Sequence, residues 1–591
     1  MSFHPNEVAR RARAVRAVLT VVIAGLGLAF FRVQVLRSSQ YALQADGNRM
    51  REVPLVAPRG IIYDRRGEII AENLPGYTVS LLSPSTDSLA SALDALAKLV
   101  PIDEQHRNLV MRRYERARHQ PAVIFNDAPF EVVSALEEHR VQFPELIIQS
   151  SPKRYYPDGE AVAAVMGYIG EIGELELTLP QFEGYKPGQL IGKAGLERQY
   201  EERLHGREGS RFVEVDARGR VVREQGVRPD IVPQAPEPLI STLDMDLQRF
   251  IHERYKDSLL GAVVALDPKT GGVLALYSGP TYDINRFTGS VPPSYFSQLL
   301  NDPRRPLYNK ATQGYYPPAS TWKLATAIVA MERGIADIDT HMDKPCTGGY
   351  MYGNRYFRCW KHEGHGDVDM RQAIATSCDT YFYQLGLKIG LSNLVAGGIR
   401  MGFGERSGID YPQETQPKFP DADVTRYYNN EYGARNWTNA VTLNLSIGQG
   451  ENAQTVINMA RFYTALATDG TAPQPHLIDQ PTERTQLFSI RPEQLEALRL
   501  AMADVVSGRG TAGSAAVQGL TVAGKTGTAQ NAGPDHAWFV GFAPYDDPQI
   551  VVAVFVEYGL HGYTAARIAT RVMERYLKTE LVNASATTNA Q

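Results

Sequence analysis

The chain has 591 residues, 43% hydrophobic and 21% charged, which is enough apolar side chain for two or more domains with cores of their own. A formal net charge of −4 gives no basis for binding nucleic acid. Internal repeats are absent, and the basic residues that do cluster lie at the N-terminus.

Arg10, Arg11, Arg13 and Arg16 precede an uncharged apolar run, Ala17–Phe31, and the apolar character resumes after Arg32 as far as Leu36. With Arg32 snorkelling, residues 17–36 come close to the ~20 needed to cross a membrane. The arginines predict that residues 1–16 are a cytoplasmic tail and that everything after about residue 37 lies outside. A cleaved signal peptide is the competing reading, but no small-x-small cleavage site follows. No other stretch approaches membrane length, so a single anchor is expected.

Residues 37–237 read as a mixed α/β pedestal. Ala57–Asn73 predicts a hairpin turning at Asp64–Gly67, and Leu89–Leu99 is amphipathic at helical spacing. Val227–Pro238 is proline-rich and marks a boundary, which places a second domain at 238–580. In it, Ala262–Leu276 predicts two strands around a turn.

Gly314–Ala319 contains Pro317 and Pro318 and cannot be helical, whereas Trp322–Arg333 is a good helical run closed by Gly334. Ser320 is therefore placed at a helix N-terminus with Lys323 three residues on, facing the same way. A helix dipole and a buried ammonium neighbour lower the cost of a free amine, so Lys323 can take the Ser320 proton. The plain alternative is a serine N-cap followed by an exposed lysine.

Three cysteines follow within 33 residues, Cys346, Cys359 and Cys378, with His362 and His365 among them. In an exported protein they allow a Cys346–Cys359 disulfide plus one free thiol. Three thiolates and one imidazole also make a closed tetrahedral zinc set. Leu520–Ala529 then predicts a strand carrying Lys525-Thr-Gly-Thr528, and Trp538–Phe542 and Ile550–Glu557 predict two more. With the pair at 262–276 these make a five-stranded antiparallel sheet, interrupted by a helical insertion. Gly527 lets a substrate backbone approach, Lys525 supplies positive charge, and Thr526 and Thr528 supply hydroxyls for a carboxylate. Residues 581–591 read as a disordered tail.

Ser320-Thr-Trp-Lys323, Ser377-Cys-Asp379 and Lys525-Thr-Gly-Thr528 are each common alone. In this order they resemble the signature of serine penicillin-recognising enzymes. Ala57–Asn73, Gly192–Asp216, Gly314–Lys323, Gly364–Ile374, Ser377–Gln384, Ile447–Gly450 and Ala523–Ala529 extend the likeness. Over nearly its whole length the chain resembles the class B penicillin-binding proteins, and among them the elongation-type members.

That resemblance implies an α+β fold. A single transmembrane helix would lead into an α/β pedestal (dimerisation-like) domain, followed by a transpeptidase domain with its five-stranded antiparallel sheet flanked by helices. It implies a peptidoglycan D,D-transpeptidase of the inner membrane, its bulk periplasmic, that cross-links stem peptides through an acyl-serine during cell elongation and rod-shape maintenance. β-Lactams would acylate the same serine. The implied partner is a RodA-type membrane glycosyltransferase within an elongation complex, and no catalytic cofactor is implied.

By the same resemblance Ser377 is a hydroxyl relay between Lys323 and Lys525, and the backbone N–H groups of Ser320 and Thr528 form the oxyanion hole. Elongation-type relatives that carry a metal here share the Gly364-His-Gly366 segment, and that resemblance implies Cys346, Cys359, His365 and Cys378 as the ligands of a structural zinc. Asp379 departs from the Asn usual in the wider superfamily but is shared by elongation-type members. There it could accept a hydrogen bond from the substrate amide. No Glu-x-Glu-Leu-Asn-like segment follows, which disfavours a β-lactamase. A D,D-carboxypeptidase, which differs only in its acceptor, and a non-catalytic scaffold remain as alternatives.

Overall fold

The computed structural model describes residues 5–39, 50–118, 120–216, 221–223, 228–289, 291 and 293–589. Residues 1–4 of the expected cytoplasmic tail and the last two residues of the chain lie outside it. Helix α1 (Pro5–Phe31) runs on through a π-helical turn, Arg32–Leu36, and its large apolar side chains from Val15 to Leu36 are exposed. Among the described residues, Ala9–Leu36 is the one helical stretch long and apolar enough to cross a membrane. An apolar helix with no protein packed on it is matched to lipid.

The pedestal is built on strand pairing that the chain's local chemistry sets up. Strand β1 (Met50–Leu55) waits for a late partner, while β2 (Ile62–Tyr63) and β3 (Ile69–Leu81) form the expected hairpin. The Asp64 carboxylate accepts from the N–H groups of Arg66 and Glu68 at 2.8 Å each, and Gly67 takes φ +84°, which only glycine adopts cheaply. Helix α2 (Thr86–Leu96), capped by Ser85, buries Leu89, Leu93 and Leu96 along one stripe. Strands β4 (Ala122–Phe125) and β5 (Leu146–Tyr155) flank β3, and β6 (Gly209–Val215) returns to pair with β1.

The chain leaving the proline-rich stretch does not run free. It pairs as β7 (Leu239–Ile240), parallel to β2, and Ile62, Ile70, Tyr156, Leu196 and Leu204 join one apolar core with the C-terminal domain. Fully buried Glu197 locks this junction, accepting from Arg59 at 2.5 Å, Arg154 at 2.8 Å and the Tyr156 hydroxyl at 2.9 Å. Proline content marks extended backbone, not freedom from neighbours.

Five antiparallel strands form the C-terminal sheet: β8 (Gly261–Leu266), β9 (Val273–Gly279), β10 (Ala523–Ala529), β11 (His536–Ala543) and β12 (Ile550–Val556), in the order β9-β8-β12-β11-β10. Every residue of β8, β9, β11 and β12 is buried, which is why these runs are continuously apolar rather than alternating. The helical insertion between β9 and β10 contributes α3 (Lys323–Glu332), α4 (Asp379–Ile389) and α5 (Val456–Ala467), and α5 packs on the sheet together with the last helix, α6 (Gly562–Asn589). Strand β10 is left as an edge. Helix α6 continues to Asn589, into the stretch read as disordered. Its start is anchored by packing, and no Gly or Pro interrupts the run after it.

Candidate active site

Ser320 sits in a 3-10 turn, Ala319–Trp322, that feeds into α3, so the expected helix N-terminus is reached one turn early. Ala319 holds φ +50°, a conformation costing about 1–3 kcal/mol for a residue with a Cβ. Its surroundings impose this. The Ala319 N–H donates to the Gly448 carbonyl at 2.9 Å, and the Tyr463 hydroxyl holds the Thr321 carbonyl at 3.0 Å.

Lys323 is fully buried as the first residue of α3. Its Nζ donates to Asp379 Oδ1 at 2.7 Å, to the Ser377 carbonyl at 2.9 Å and to Ser377 Oγ at 3.2 Å. Ser377, at φ +56°, and Cys378 lead directly into α4, whose first residue is Asp379. The second Asp379 oxygen accepts the Trp360 backbone N–H at 3.0 Å. Each Asp379 oxygen therefore already holds one partner inside the protein, beside which a substrate amide would be a further donor. Burial raises the Asp379 carboxyl above the usual range against the opposing pull of the Lys323 charge.

Lys525 is fully buried on β10 and donates to the Thr526 carbonyl at 3.1 Å. Burial first, then the nearby Lys323 charge, pushes it well below the ordinary lysine range. Lys525, read from the sequence as a source of positive charge, is a desolvated amine, because the strand turns this side chain inward. The Thr526 hydroxyl lies 2.6 Å from that of Thr511. A Cβ on Gly527 would meet the Pro318 carbonyl at 2.9 Å, so glycine lets β10 close on the Ser320 turn. Gln449 Nε2 reaches the Thr528 carbonyl at 3.4 Å, tying the Ile447–Gly450 loop to both walls.

The cysteines are all free and buried. The ligand atoms of Cys346, Cys359, His365 and Cys378 lie within 4.8 Å of one another, and His365 Nδ1 is 3.6 Å from both Cys346 Sγ and Cys359 Sγ. A tetrahedron with Zn–S of about 2.3 Å and Zn–N of about 2.0 Å has S···N edges of about 3.6 Å, so the spacing fits a closed zinc site. The disulfide reading is not what the structure shows. A hydrogen bond with Cys378 holds the Cys359 thiol well below the ordinary range, and the same contact pushes Cys378 up. His365 Nε2 is buried without a partner.

Known proteins match both halves of the chain. The penicillin binding protein transpeptidase domain matches residues 261–578, and the penicillin-binding protein dimerisation domain residues 54–233. The peptidoglycan D,D-transpeptidase MrdA of Haemophilus influenzae is 34% identical over 98% of this chain and 93% of its own. The chain belongs to the class B penicillin-binding proteins. Among solved structures of the family, PBP2 of Helicobacter pylori in complex with MreC is 26% identical, with a TM-score of 0.79 over 90% of this chain and 99% of that one. A structure described as showing how a peptidoglycan synthase complex coordinates polymerization and crosslinking is 29% identical, with a TM-score of 0.69 over 96% of this chain and 97% of that one.

Within this penicillin-binding protein, sequence reasoning missed Trp360 and Thr511 and assigned no task to Gln449. Trp360 follows the predicted ligand Cys359 directly, which was the available signal. Thr511 and Gln449 carry no local pattern of their own, since only folding brings them to β10.

Proposed function

We propose that this class B penicillin-binding protein cross-links peptidoglycan stem peptides as an elongation-type D,D-transpeptidase, with Ser320 as its nucleophile. The observation that carries this is the meeting of the Ser320 turn, the buried Lys323–Ser377–Asp379 group and edge strand β10 in one place. Ser320 Oγ attacks the carbonyl carbon of the donor's D-Ala–D-Ala bond and passes its proton to Lys323 Nζ. Backbone N–H groups of Ser320 and Thr528 stabilise the oxyanion. As the bond breaks, the departing D-Ala amine takes a proton from Lys323 through the Ser377 hydroxyl. An acceptor amine then attacks the ester carbonyl, and Ser320 recovers its proton. Thr526, Thr528 and Thr511 offer hydroxyls to the donor carboxylate, and Gly527 gives the donor backbone room. Incubation with a soluble pentapeptide donor and an amine acceptor, read by mass, tests the reading. A cross-linked product supports it, and D-Ala release without cross-linking counts for a carboxypeptidase.

Asp379 has a defined place in this scheme. Lys323 must be a free amine to act, and the Asp379 carboxylate, 2.7 Å from its Nζ, is the charge that opposes loss of its proton. Asp379→Asn removes the negative charge that retains a proton on the pair. The acid limb of the penicillin acylation profile is then expected to move to lower pH, with the plateau reduced less than tenfold. An unmoved limb in stopped-flow acylation across pH 5–8 would argue against the pairing.

The same proposal includes one structural zinc on Cys346, Cys359, His365 and Cys378. Bound there, a zinc ion adds a rigid cross-link and no chemistry. Because Cys378 lies between Ser377 and Asp379, the cluster braces the turn from behind, while Cys359 fixes the origin of Trp360.

Helix α1 is read as the inner-membrane anchor, with its arginines cytoplasmic and the remainder periplasmic. The assigned partner is a RodA-type glycosyltransferase met through α1 and the pedestal. Likeness to the relative in a peptidoglycan synthase complex that coordinates polymerization and crosslinking supports this assignment. A chain beginning at residue 46 is expected to be soluble and to take penicillin normally, but not to restore rod shape in a depletion strain. Full complementation by that form would remove the need for an anchored complex.

A further inference from the structure

Trp360 combines tight fixing with wide exposure. Its backbone N–H is committed to Asp379, and its indole N–H donates to the carbonyls of Thr376 at 3.0 Å and Ser377 at 3.1 Å. The His365 ring stands edge-on to it at 5.4 Å. Yet 56% of the residue's surface is in solvent. Of the chain's four tryptophans, Trp322 and Trp538 are fully buried and Trp437 is half-buried, so Trp360 is the outlier.

Its position gives that exposure a meaning. The pinned edge of the ring touches the carbonyl of Ser377, whose hydroxyl is 3.2 Å from Lys323 Nζ. A donor laid along edge strand β10 with its carbonyl at Ser320 would have the Lys323–Ser377 group beside it. A large flat apolar face, already immobilised, stacks on amide planes and aliphatic chains with little further loss of side-chain freedom.

We propose that the open indole face of Trp360 is a donor-binding wall. It covers the peptide on the acyl side of the scissile bond and favours extended peptidyl donors over compact acylating agents. This rests on the transpeptidase reading of the site and adds the residue that selects the donor. A structural role predicts something different. If the indole only straps the Ser377 carbonyl, then losing its N–H should slow the acylation step whatever the donor.

Two variants separate these roles, because the backbone N–H to Asp379 survives in both. Trp360→Ala removes face and strap, whereas Trp360→Phe keeps a face and removes the strap. With a soluble stem pentapeptide ending in D-Ala-D-Ala, Trp360→Ala should raise KM tenfold or more with kcat within threefold of the parent. Trp360→Phe should hold KM within threefold. Penicillin should still label Trp360→Ala completely. An unchanged KM in Trp360→Ala, or a fall in kcat common to both variants, would overturn the proposal. Failure of penicillin to label the parent chain would instead overturn the transpeptidase reading.

Discussion

Ser320→Ala is expected to abolish covalent penicillin labelling and cross-linking together while leaving the thermal transition in place. The side chain supplies the only atom that forms the acyl-enzyme, so the loss in turnover should be at least ~10⁴-fold. Intact mass after fluorescent penicillin reads it directly, and labelling at parent stoichiometry would remove Ser320 from the mechanism. Lys323→Ala should lose almost as much activity, and the double variant little more, because the two residues act as one unit. Stability separates them. Lys323→Ala leaves Asp379 buried without its counter-charge, an imbalance worth roughly 3–5 kcal/mol. Adding Asp379→Asn to it should recover much of that stability without recovering activity. A double variant that melts no higher than Lys323→Ala would show that the ion pair is not what the fold depends on.

Removing the metal is expected to have the next largest effect. Purified protein should carry about one zinc per chain, as four closed ligands require. Chelation should lower the thermal midpoint by roughly 5–15 °C, because binding free energy at a structural site is folding free energy. Acylation should slow with it, since Cys378 shares its turn with Ser377. The ligands bind deprotonated, so metal retention should fall steadily on acidification. Cys378→Ser should reproduce the chelated protein in both melting and acylation. Metal-free protein containing a Cys346–Cys359 disulfide and acylating at full rate would end this assignment.

Both expectations grow from features that were legible in different degrees. The order Ser320-x-x-Lys323, Ser377-x-Asp379, Lys525-Thr-Gly was plain, because the spacing of short motifs is a property of the chain itself. So was the sheet, since strands buried on both faces must be continuously apolar, and Val263, Phe539 and Val554 lie in such runs. The four residues proposed to hold zinc were named through the resemblance, His365 over His362 included, and their side chains converge. Less visible was what each polar group faces. Asp379 was read only as an acceptor for a substrate amide, and the fold adds that it is the counter-ion of Lys323, 56 positions away. Lys525 was read as a source of positive charge, and only the fold shows that it is fully buried.

The sequence by itself therefore determined the apolar helix and the strand pattern, which follow from residue type and local spacing, and it named Ser320 and the four proposed metal ligands, the choice of His365 coming from the family resemblance. Only the tertiary structure decided that the pedestal base shares the core of the transpeptidase domain, that Lys323 pairs with Asp379, and that Trp360 stands pinned and open beside Ser377. These depend on which distant segments meet and how much water their meeting excludes. Desolvation and long-range hydrogen bonding are properties of a folded neighbourhood, and no stretch of chain carries them alone.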